Sequence, residues 1–307
     1  MLLPVAILFG LSAQETVMTS PTSRITSAGN AGTLLATPGP ADTTPMVTRH
    51  ELDAWLAREL QVHRIRDYCP NGLQVEGRAE IRRVIAGVTA SEALLQEAVR
   101  MGADAVLVHH GWFWKSDDVR VIGTRRRRLK LALSNDINVF AYHLPLDLHP
   151  RWGNNAQLAR VLGLAPDLLP DDDASKPGQP LTAGPEGLLW IGRAPGLSTV
   201  GELAERVAQR LQREPLVIGD RDAPVGRVVW CTGAAQNMME DAVAVGATVY
   251  ITGEASEQTT HMARETGVAF IGAGHHATER YGVQALGEAV ARQFGVEVRF
   301  IDIDNPV

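Results

Sequence analysis

Cysteine is scarce in this chain of 307 residues, which has only Cys69 and Cys231. These two lie far apart and in no ligand spacing, so the sequence supports neither a disulfide framework nor a thiolate metal site. Such cysteine usage favours a reducing compartment, and we predict a cytoplasmic protein. No run of about 18 or more apolar residues occurs, so we expect no membrane-spanning helix.

Basic residues are fewer than acidic ones, and the formal net charge is −6. A nucleic-acid-binding protein would normally show a basic face, so we do not expect nucleic acid as a partner. One basic segment, Arg125-Arg-Arg-Arg-Leu-Lys130, is a local exception. It can be the solvated start of a helix or a patch that contacts phosphate, and the solvated helix is the preferred interpretation. Neither a P-loop nor a Gly-x-Gly-x-x-Gly motif occurs, so no nucleotide-binding loop is indicated.

The first 45 residues differ from the rest of the chain. Leu2–Leu11 is apolar, but no Lys or Arg precedes Arg24, so the basic start of a secretory signal is missing. Residues 12–45 are rich in Ser, Thr, Gly, Pro and Ala and show little apolar periodicity, which cannot offset the entropy cost of ordering. We expect residues 1–45 to be a disordered tail or the product of an upstream start.

The remainder reads as two copies of one unit. A shift of 144 residues, from Arg83 to Arg227, aligns an apolar strand, a helix that ends at a glycine, and a second apolar strand. Each copy reads helix, strand, helix, strand, helix, strand, which is typical of a parallel sheet covered on both faces. We predict an α/β fold of two similar domains from an internal duplication. The expected organisation is a first domain at 46–165, a linker at 166–185, and a second domain at 186–307 whose C-terminal segment can dock on the first.

The first helix of each copy is predicted from its apolar face. In the first copy the helix is expected at Glu51–Leu60, where Thr48 can cap it and Glu51 stands three residues later, the signature of a capping box. The equivalent helix of the second copy is expected at Glu202–Leu211.

Three clusters of histidine and carboxylate residues follow predicted strands. Beyond an insertion of about 12 residues in the first copy, a shift of 132 residues lays His143 on His275 and Asp147 on Glu279. Open α/β sheets place their sites at the carboxyl ends of strands. Imidazole nitrogens and carboxylate oxygens suit borderline divalent metals, so we predict a metal site for two ions at the interface of the two domains. The clusters are His109 and His110 after a strand at 105–108, His143 and Asp147 after 138–142, and His275 and Glu279 after 268–273.

Each cluster also has a structural alternative. Two adjacent histidines can form a hydrogen-bonded pair without any metal. Asp147 can cap the helix expected after Pro150, and Glu279 can stabilise the start of a helix expected at Arg280–Gln293. The metal interpretation is preferred because three independent clusters of the right chemistry fall at strand ends.

Two further residues are candidates for catalytic roles. Glu254 occupies the repeat position of His110, and it can be a ligand, an acceptor that orients a ligating histidine, or a general base, of which the general base is preferred. His143 precedes Pro145 and is expected to support the site from behind the metal ligands.

Several motifs between Met46 and Val307 carry a specific resemblance. They include Pro70-Asn-Gly-Leu-Gln-Val-Glu-Gly77, His109-His-Gly-Trp-Phe-Trp114, His143-Leu-Pro-Leu-Asp147, Gly153-Asn-Asn-Ala-Gln-Leu158, Thr252-Gly-Glu-Ala-Ser-Glu257 and Gly274-His-His-Ala-Thr-Glu279. In these motifs the chain resembles the YbgI-like family, which is also described as Nif-three-like or as GTP cyclohydrolase type 2 homologues. Residues 1–45 have no counterpart in that family.

The resemblance implies a two-domain α/β subunit, a dinuclear metal centre between the domains, and a ring-shaped homohexamer. It implies that Glu279 bridges two divalent ions, and that His276, which stands where many relatives have an aromatic residue, is not a ligand. Ligands without thiolate admit Zn, Mn, Fe, Ni or Co. The implied function is a metal-dependent hydrolase of a nucleotide-like or heterocyclic small molecule, and the alternative is a non-enzymatic metal-handling, adaptor or regulatory protein. The implied metal ligands are His109, His110, Asp147, His275 and Glu279.

Overall fold

The computed structural model describes residues 45–169 and 178–307. The tail predicted at 1–45 therefore lies outside the described residues except for Pro45, and so does the middle of the predicted linker. The elements, in chain order, are β1 (Val47–Thr48), α1 (Arg49–Glu59), β2 (Gly72–Val75), β3 (Glu80–Ile81), β4 (Arg83–Thr89), α2 (Glu92–Arg100), β5 (Ala105–His110), α3 (Gly123–Ser134), β6 (Asn138–Ala141), α4 (Leu144–Asp147), α5 (Asn154–Leu162), β7 (Ala165–Pro166), β8 (Thr182–Ala183), β9 (Leu189–Arg193), α6 (Val200–Leu211), β10 (Leu216–Ile218), β11 (Val228–Trp230), α7 (Met239–Ala244), β12 (Val249–Thr252), α8 (Glu257–Thr266), β13 (Ala269–Gly272), α9 (His275–Phe294) and β14 (Glu297–Phe300). Short 3-10 helices lie at Val62–Arg64, Pro185–Gly187 and Gln236–Met238.

The first sheet has five strands in the order β14-β4-β5-β6-β2. The pairs β14–β4, β4–β5 and β5–β6 are parallel, and β2 runs antiparallel to β6 at one edge. The three central strands are continuous apolar runs, because both faces of a parallel sheet are covered. The opposite edge is β14, so the C-terminal segment completes the sheet formed by the first half of the chain.

The second sheet has the order β10-β13-β12-β11-β9-β7, and β8 also pairs with β9. Here β11, β12 and β13 are parallel, and the other strands run antiparallel to their neighbours. Strands β7 and β8 lie at the two ends of the segment predicted as a linker, so the described parts of that segment contribute to the sheet. The predicted mixed α/β fold is thus confirmed.

Helices cover both faces of both sheets. Helices α1 and α9 pack on one face of the first sheet, and α2 and α3 pack on the other. Helices α5 and α6 pack on one face of the second sheet, and α7 and α8 on the other. Helix α9 reaches both cores, because Ala277 in its first turn packs with the second sheet while Val283 and Leu286 pack with the first. The start of α9 therefore lies between the two sheets.

Local signals set the starts of the helices. The capping box predicted for α1 is confirmed, because the Thr48 hydroxyl accepts from the Glu51 backbone N–H and the Glu51 carboxylate accepts from the Thr48 N–H. Thr199 and Glu202 form the same box at the start of α6. Each helix begins directly after its cap and hence two residues earlier than predicted. Within residues 45–169 and 178–307, no helix has the length and apolar character needed to cross a membrane.

Candidate metal centre

The predicted ligands sit on regular elements rather than in the loops beyond them. His109 and His110 are the last two residues of β5, because the pairing of Thr89 with His110 extends the parallel ladder. The predicted strand end at Val108 was therefore too early. Asp147 closes the short α4, and α5 begins later, after Gly153. Asp147 is thus not the N-cap of the following helix.

His275 and Glu279 lie one turn apart on α9, so their side chains share one face of the helix. The helix was predicted to start only at Arg280. It starts five residues earlier, at His275, because Gly274 adopts φ +98° and turns the chain directly from β13 into the helix. This abrupt turn places both side chains at the carboxyl end of the second sheet.

Glu279 is the centre of the site. Its Oε1 lies 3.4 Å from Nε2 of His109, and its Oε2 lies 3.3 Å from Nε2 of His110 and 3.1 Å from Nε2 of His275. The side chain of Glu279 is almost completely buried. Two imidazoles from β5 and one from the start of α9 therefore point the same ring nitrogen at one carboxylate.

The other ring nitrogen of each histidine has a partner of its own. Nδ1 of His109 donates to the Tyr142 carbonyl (3.0 Å), and Nδ1 of His275 donates to Glu254 (2.6 Å). Nδ1 of His110 lies 3.3 Å from the Thr89 hydroxyl. Partners at Nδ1 fix the ring orientation and leave Nε2 for a ligand, which is the usual arrangement around a metal-binding histidine.

Asp147 completes the cluster on the side of His109. Its Oδ1 lies 3.6 Å from Nε2 of His109 and accepts a hydrogen bond from the Asn154 side chain (2.7 Å). Candidate ligand atoms that lie within 4.8 Å of one another form three groups here, and two of them contain Glu279. These two are His109, Asp147 and Glu279, and His110, His275 and Glu279. The third is His109, His110 and His143.

The pKa shifts of the clustered residues indicate that the site favours positive charge. Burial would lower the pKa of His109, but the carboxylates of Asp147 and Glu279 raise it to about 9. Burial would likewise lower the pKa of His275, but Glu279 and Glu254 raise it to about 9. Burial would raise the pKa of Glu279, but the imidazoles hold it well below its ordinary value. Buried carboxylates thus retain protons on His109 and His275, whereas burial lowers the pKa of His110 well below its ordinary value. A bound cation would neutralise the same carboxylates.

The donor set fits a metal ion on two further observations. Oε2 of Glu279 is buried yet makes no hydrogen bond of acceptable geometry, although buried acceptors usually find a partner. Gly233, at φ +73°, faces the cluster, and a Cβ there would overlap Oε1 of Glu279 and lie 3.3 Å from Nε2 of His275. A glycine at this position therefore gives the carboxylate room to lie among the imidazoles.

Glu254 contacts the site through His275. Its bond to Nδ1 places it on the opposite side of the imidazole from Glu279. That position matches the interpretation in which Glu254 orients a ligating histidine, and its role as a general base stays a prediction. His276 turns away and binds Asp302 of the C-terminal segment at 2.7 Å, which agrees with its exclusion from the ligand set.

His143 is held by a residue that the sequence interpretation missed. Its Nδ1 lies 2.8 Å from Asp67, whose carboxylate also accepts from the side chain of Asn71 and the backbone of Leu144. Because the ionised carboxylate only accepts, Nδ1 of His143 is the donor, and Nε2 is left near the rings of His109 and His110. Asp67 precedes the Pro70–Gly77 motif by three residues, which was the only available signal.

Cys69 lies beside Asp67 and His143, close enough to form a fourth candidate ligand group. Burial raises the pKa of its thiol to about 12, so the thiolate needed for metal binding is disfavoured. Cys69 and Cys231 are both buried and free.

A cavity of about 670 Å³ opens beside the cluster. Its floor includes His110, His143, Asp147, His275 and Glu279. Its walls are mostly apolar and aromatic, and they include one cation. The wall residues used below are Tyr68, Trp114, Arg128, Leu144 and Met238.

Comparisons with known proteins agree with the motifs. The family model described as Duf34/NIF3 (NGG1p interacting factor 3) matches residues 47–306. A Pseudomonas aeruginosa protein named GTP cyclohydrolase 1 type 2 homolog is 51% identical over 249 residues, which are 81% of this chain and 94% of that protein. An Escherichia coli K12 protein of the same name is 49% identical over 257 residues, 83% of this chain and 98% of that protein.

A solved structure described as protein ybgI, of unknown function, has a TM-score of 0.78 and 46% identity, and the match covers 85% of this chain and all of that one. The resemblance drawn from the sequence motifs is therefore confirmed. Because the family model spans both sheets and every residue of the candidate site, the match covers the whole described fold. The chain belongs to the Duf34/NIF3 (NGG1p interacting factor 3) family.

Proposed function

We propose that this protein binds two divalent metal ions and uses them to hydrolyse a small nucleotide-like or heterocyclic substrate. The observation that carries the proposal is that two groups of candidate ligands share Glu279. One ion would be held by His109, Asp147 and Glu279, and the other by His110, His275 and Glu279. Nitrogen and oxygen donors admit Zn, Mn, Fe, Ni or Co, so the donor set does not select one metal.

We also propose that the site joins two duplicated domains, at 46–165 and 186–307, connected by the segment 166–185. Support comes from the order of the elements, because α1, β4, α2, β5, α3 and β6 recur as α6, β11, α7, β12, α8 and β13. In both sheets the three strands of this series are parallel. His143 and Asp147 follow β6 as His275 and Glu279 follow β13. The two copies would then differ in how they contribute to the metal site. His275 and Glu279 would both be ligands, whereas only Asp147 of the first copy's pair would be one.

When bound, the two ions would supply Lewis-acid stabilisation of the charge that develops during hydrolysis. The residues of the chain would supply position and proton transfer. Asp67 keeps the Nδ1 proton on His143, so Nε2 of His143 is free to accept or return a proton beside the cavity. Glu254 fixes the ring of His275. The cavity volume lies within the range of about 300 to 1,000 Å³ that small-molecule sites have.

Metal analysis tests the site. Purified wild type should carry close to two ions per chain, His110→Ala should lose one, and Glu279→Gln should lose both, because only Glu279 belongs to both groups. His261→Ala is the matched control, since His261 is exposed and pairs with Glu257 away from the cluster. Wild-type metal content in a His109→Ala, His275→Ala double variant would refute the ligand assignment.

Turnover tests the chemistry. Metal-loaded protein is offered nucleotides, cyclic nucleotides, phosphoesters and pterin precursors, with the His110→Ala, Glu279→Ala double variant as the blank. Hydrolysis of at least one compound above the blank supports the hydrolase. Absence of any such turnover, together with transfer of metal to an acceptor apoprotein, would replace it with the metal-handling alternative. The homohexamer and the cytoplasmic location stay predictions, and light scattering of the purified protein checks the first.

A further inference from the structure

We propose that Arg128 is the anion-binding residue of the cavity beside the metal cluster, and that the cavity takes a small organic anion with a planar ring. The proposal rests on the proposed function, since it concerns the substrate of the same site. Arg128 is on α3, and it lines the cavity together with His110, His275 and Glu279. A single ligand in this cavity can therefore contact both the guanidinium and the cluster.

Within the described residues, Arg128 differs from Arg125 and Arg127 of the basic segment because its guanidinium has no carboxylate partner. Arg125 pairs with Asp117 at 2.6 Å, and Arg127 pairs with Glu92 at 3.0 Å. The side chain of Arg128 makes no ion pair or hydrogen bond with any residue in 45–169 or 178–307, and its Nε is buried without an acceptor. The residue is half-buried and lines the cavity, and an unpaired guanidinium is costly in such a position, so the position favours an acceptor brought by a ligand.

The guanidinium group defines the anionic part of the ligand. Its planar fork of donors matches the oxygens of a phosphate or a carboxylate and binds them in two-fold contacts. The sequence left two interpretations of the basic segment open, a solvated helix start and a phosphate contact. The structure separates them by residue, because Arg126 is exposed while Arg128 lines the cavity.

Aromatic side chains define the rest of the ligand. The ring of Trp114 lies 4.9 Å from the ring of His143 and 6.0 Å from that of His110, directly beside the cluster. Phe113, just before it, holds φ +67°, an unfavourable backbone state for a side-chain-bearing residue and one that is concentrated at functional sites. The Lys115 N–H donates to the Tyr68 carbonyl at 2.9 Å and ties the loops of the two aromatic residues together.

Apolar residues line the cavity as well. Leu144 and Met238 contribute to its walls, the first buried and the second half-buried. A planar ring can stack on Trp114 while its anionic substituent reaches Arg128, and a stacked ring of this kind contributes favourably beyond the area it buries. A purely inorganic anion would leave these apolar walls in contact with water. The walls therefore favour an organic anion over free phosphate.

Calorimetric binding to the metal-loaded protein tests the proposal with three probes: a purine nucleoside 5′-monophosphate, the parent nucleoside, and inorganic phosphate. For Arg128→Gln we expect about 10- to 100-fold weaker binding of the monophosphate and unchanged binding of the nucleoside, since only a charged hydrogen-bond pair is lost. Arg126→Gln removes the same charge two positions earlier and should bind like wild type. Arg128→Lys keeps the cation without the fork and should fall between the two.

Trp114→Ala tests the ring. It should weaken the monophosphate and the nucleoside by similar factors and leave inorganic phosphate unchanged. Equal affinity of wild type and Arg128→Gln for the monophosphate would overturn the anion assignment. Inorganic phosphate that binds as tightly as the monophosphate would overturn the ring assignment.

Metal content is measured in parallel, because loss of the metal would disturb binding for another reason. Arg128→Gln and Trp114→Ala should both keep the wild-type number of ions, since neither residue belongs to a ligand group. If wild type holds no metal, the proposed function fails, and the Arg128 comparison is repeated on metal-free protein. In the metal-free protein, weaker monophosphate binding by Arg128→Gln than by wild type still supports Arg128 as the anion-binding residue. Equal binding refutes that assignment. If Arg128→Gln does not fold, the intermediate affinity expected of Arg128→Lys decides the question.

Discussion

Gly233→Ala is the most direct test of the space around Glu279. The substitution adds one carbon, and that carbon would overlap Oε1 of Glu279. Since Glu279 is buried and contacts three imidazoles, its carboxylate has to move for the new atom to fit. A displaced carboxylate can no longer serve both ligand groups, so we expect Gly233→Ala to bind fewer than two ions.

The backbone cost of this substitution can be separated from the steric cost. Gly233 has φ +73°, and any side chain there costs about 1 kcal/mol. Gly196 has φ +76°, and a Cβ added there would meet no atom within 4 Å, so Gly196→Ala incurs the backbone cost alone. Crowding in a packed interior costs about 1 to 3 kcal/mol more. We therefore expect losses of about 1 kcal/mol for Gly196→Ala and about 2 to 4 kcal/mol for Gly233→Ala.

Urea titration of the metal-free proteins measures these free energies of unfolding, and elemental analysis of the metal-loaded proteins measures occupancy. Gly196→Ala should keep two ions per chain. The reasoning fails if Gly233→Ala loses no more stability than Gly196→Ala and also binds the full complement of metal, since the carboxylate would then have moved at no cost.

Three other substitutions test separate contacts by denaturant titration. Burial would raise the pKa of Asp67, but hydrogen bonds, led by that from His143, lower it to about 2. Ionised Asp67 should therefore add about 2 kcal/mol to the free energy of unfolding above about pH 4, and wild type should lose this stability as the pH falls toward 2. Asp67→Asn should show no such loss in acid. Thr48→Ala removes the capping box of α1 and should cost about 1 kcal/mol. Trp230→Phe leaves the buried carbonyl of Asn155 without its 3.1 Å donor and creates a small void, for an expected loss of about 2 to 3 kcal/mol.

The positions of the candidate ligands were predictable because they follow from strand ends. A buried parallel strand is a continuous apolar run, so its end is visible in the sequence, and parallel strands end at the same edge of a sheet. This rule is enough to bring His109 and His110 near Asp147 although about 40 residues separate them. The rule does not give the exact residue at which a strand or helix begins or ends. Strand β5 ends later than predicted and helix α9 begins earlier, so both include residues expected in loops.

Asp67, Gly233 and Arg128 were not predictable as site residues, for reasons that differ. Asp67 acts through His143, and a contact between side chains 76 residues apart leaves no periodic trace. Gly233 matters because it has no Cβ, and the sequence does not distinguish a glycine required by a turn from one required by a neighbouring carboxylate. Arg128 lies in a run of four arginines of which two neighbours are neutralised by carboxylates on other segments. Of the two arginines left without a carboxylate among the described residues, Arg126 is exposed and Arg128 lines the cavity, and only the three-dimensional structure distinguishes them.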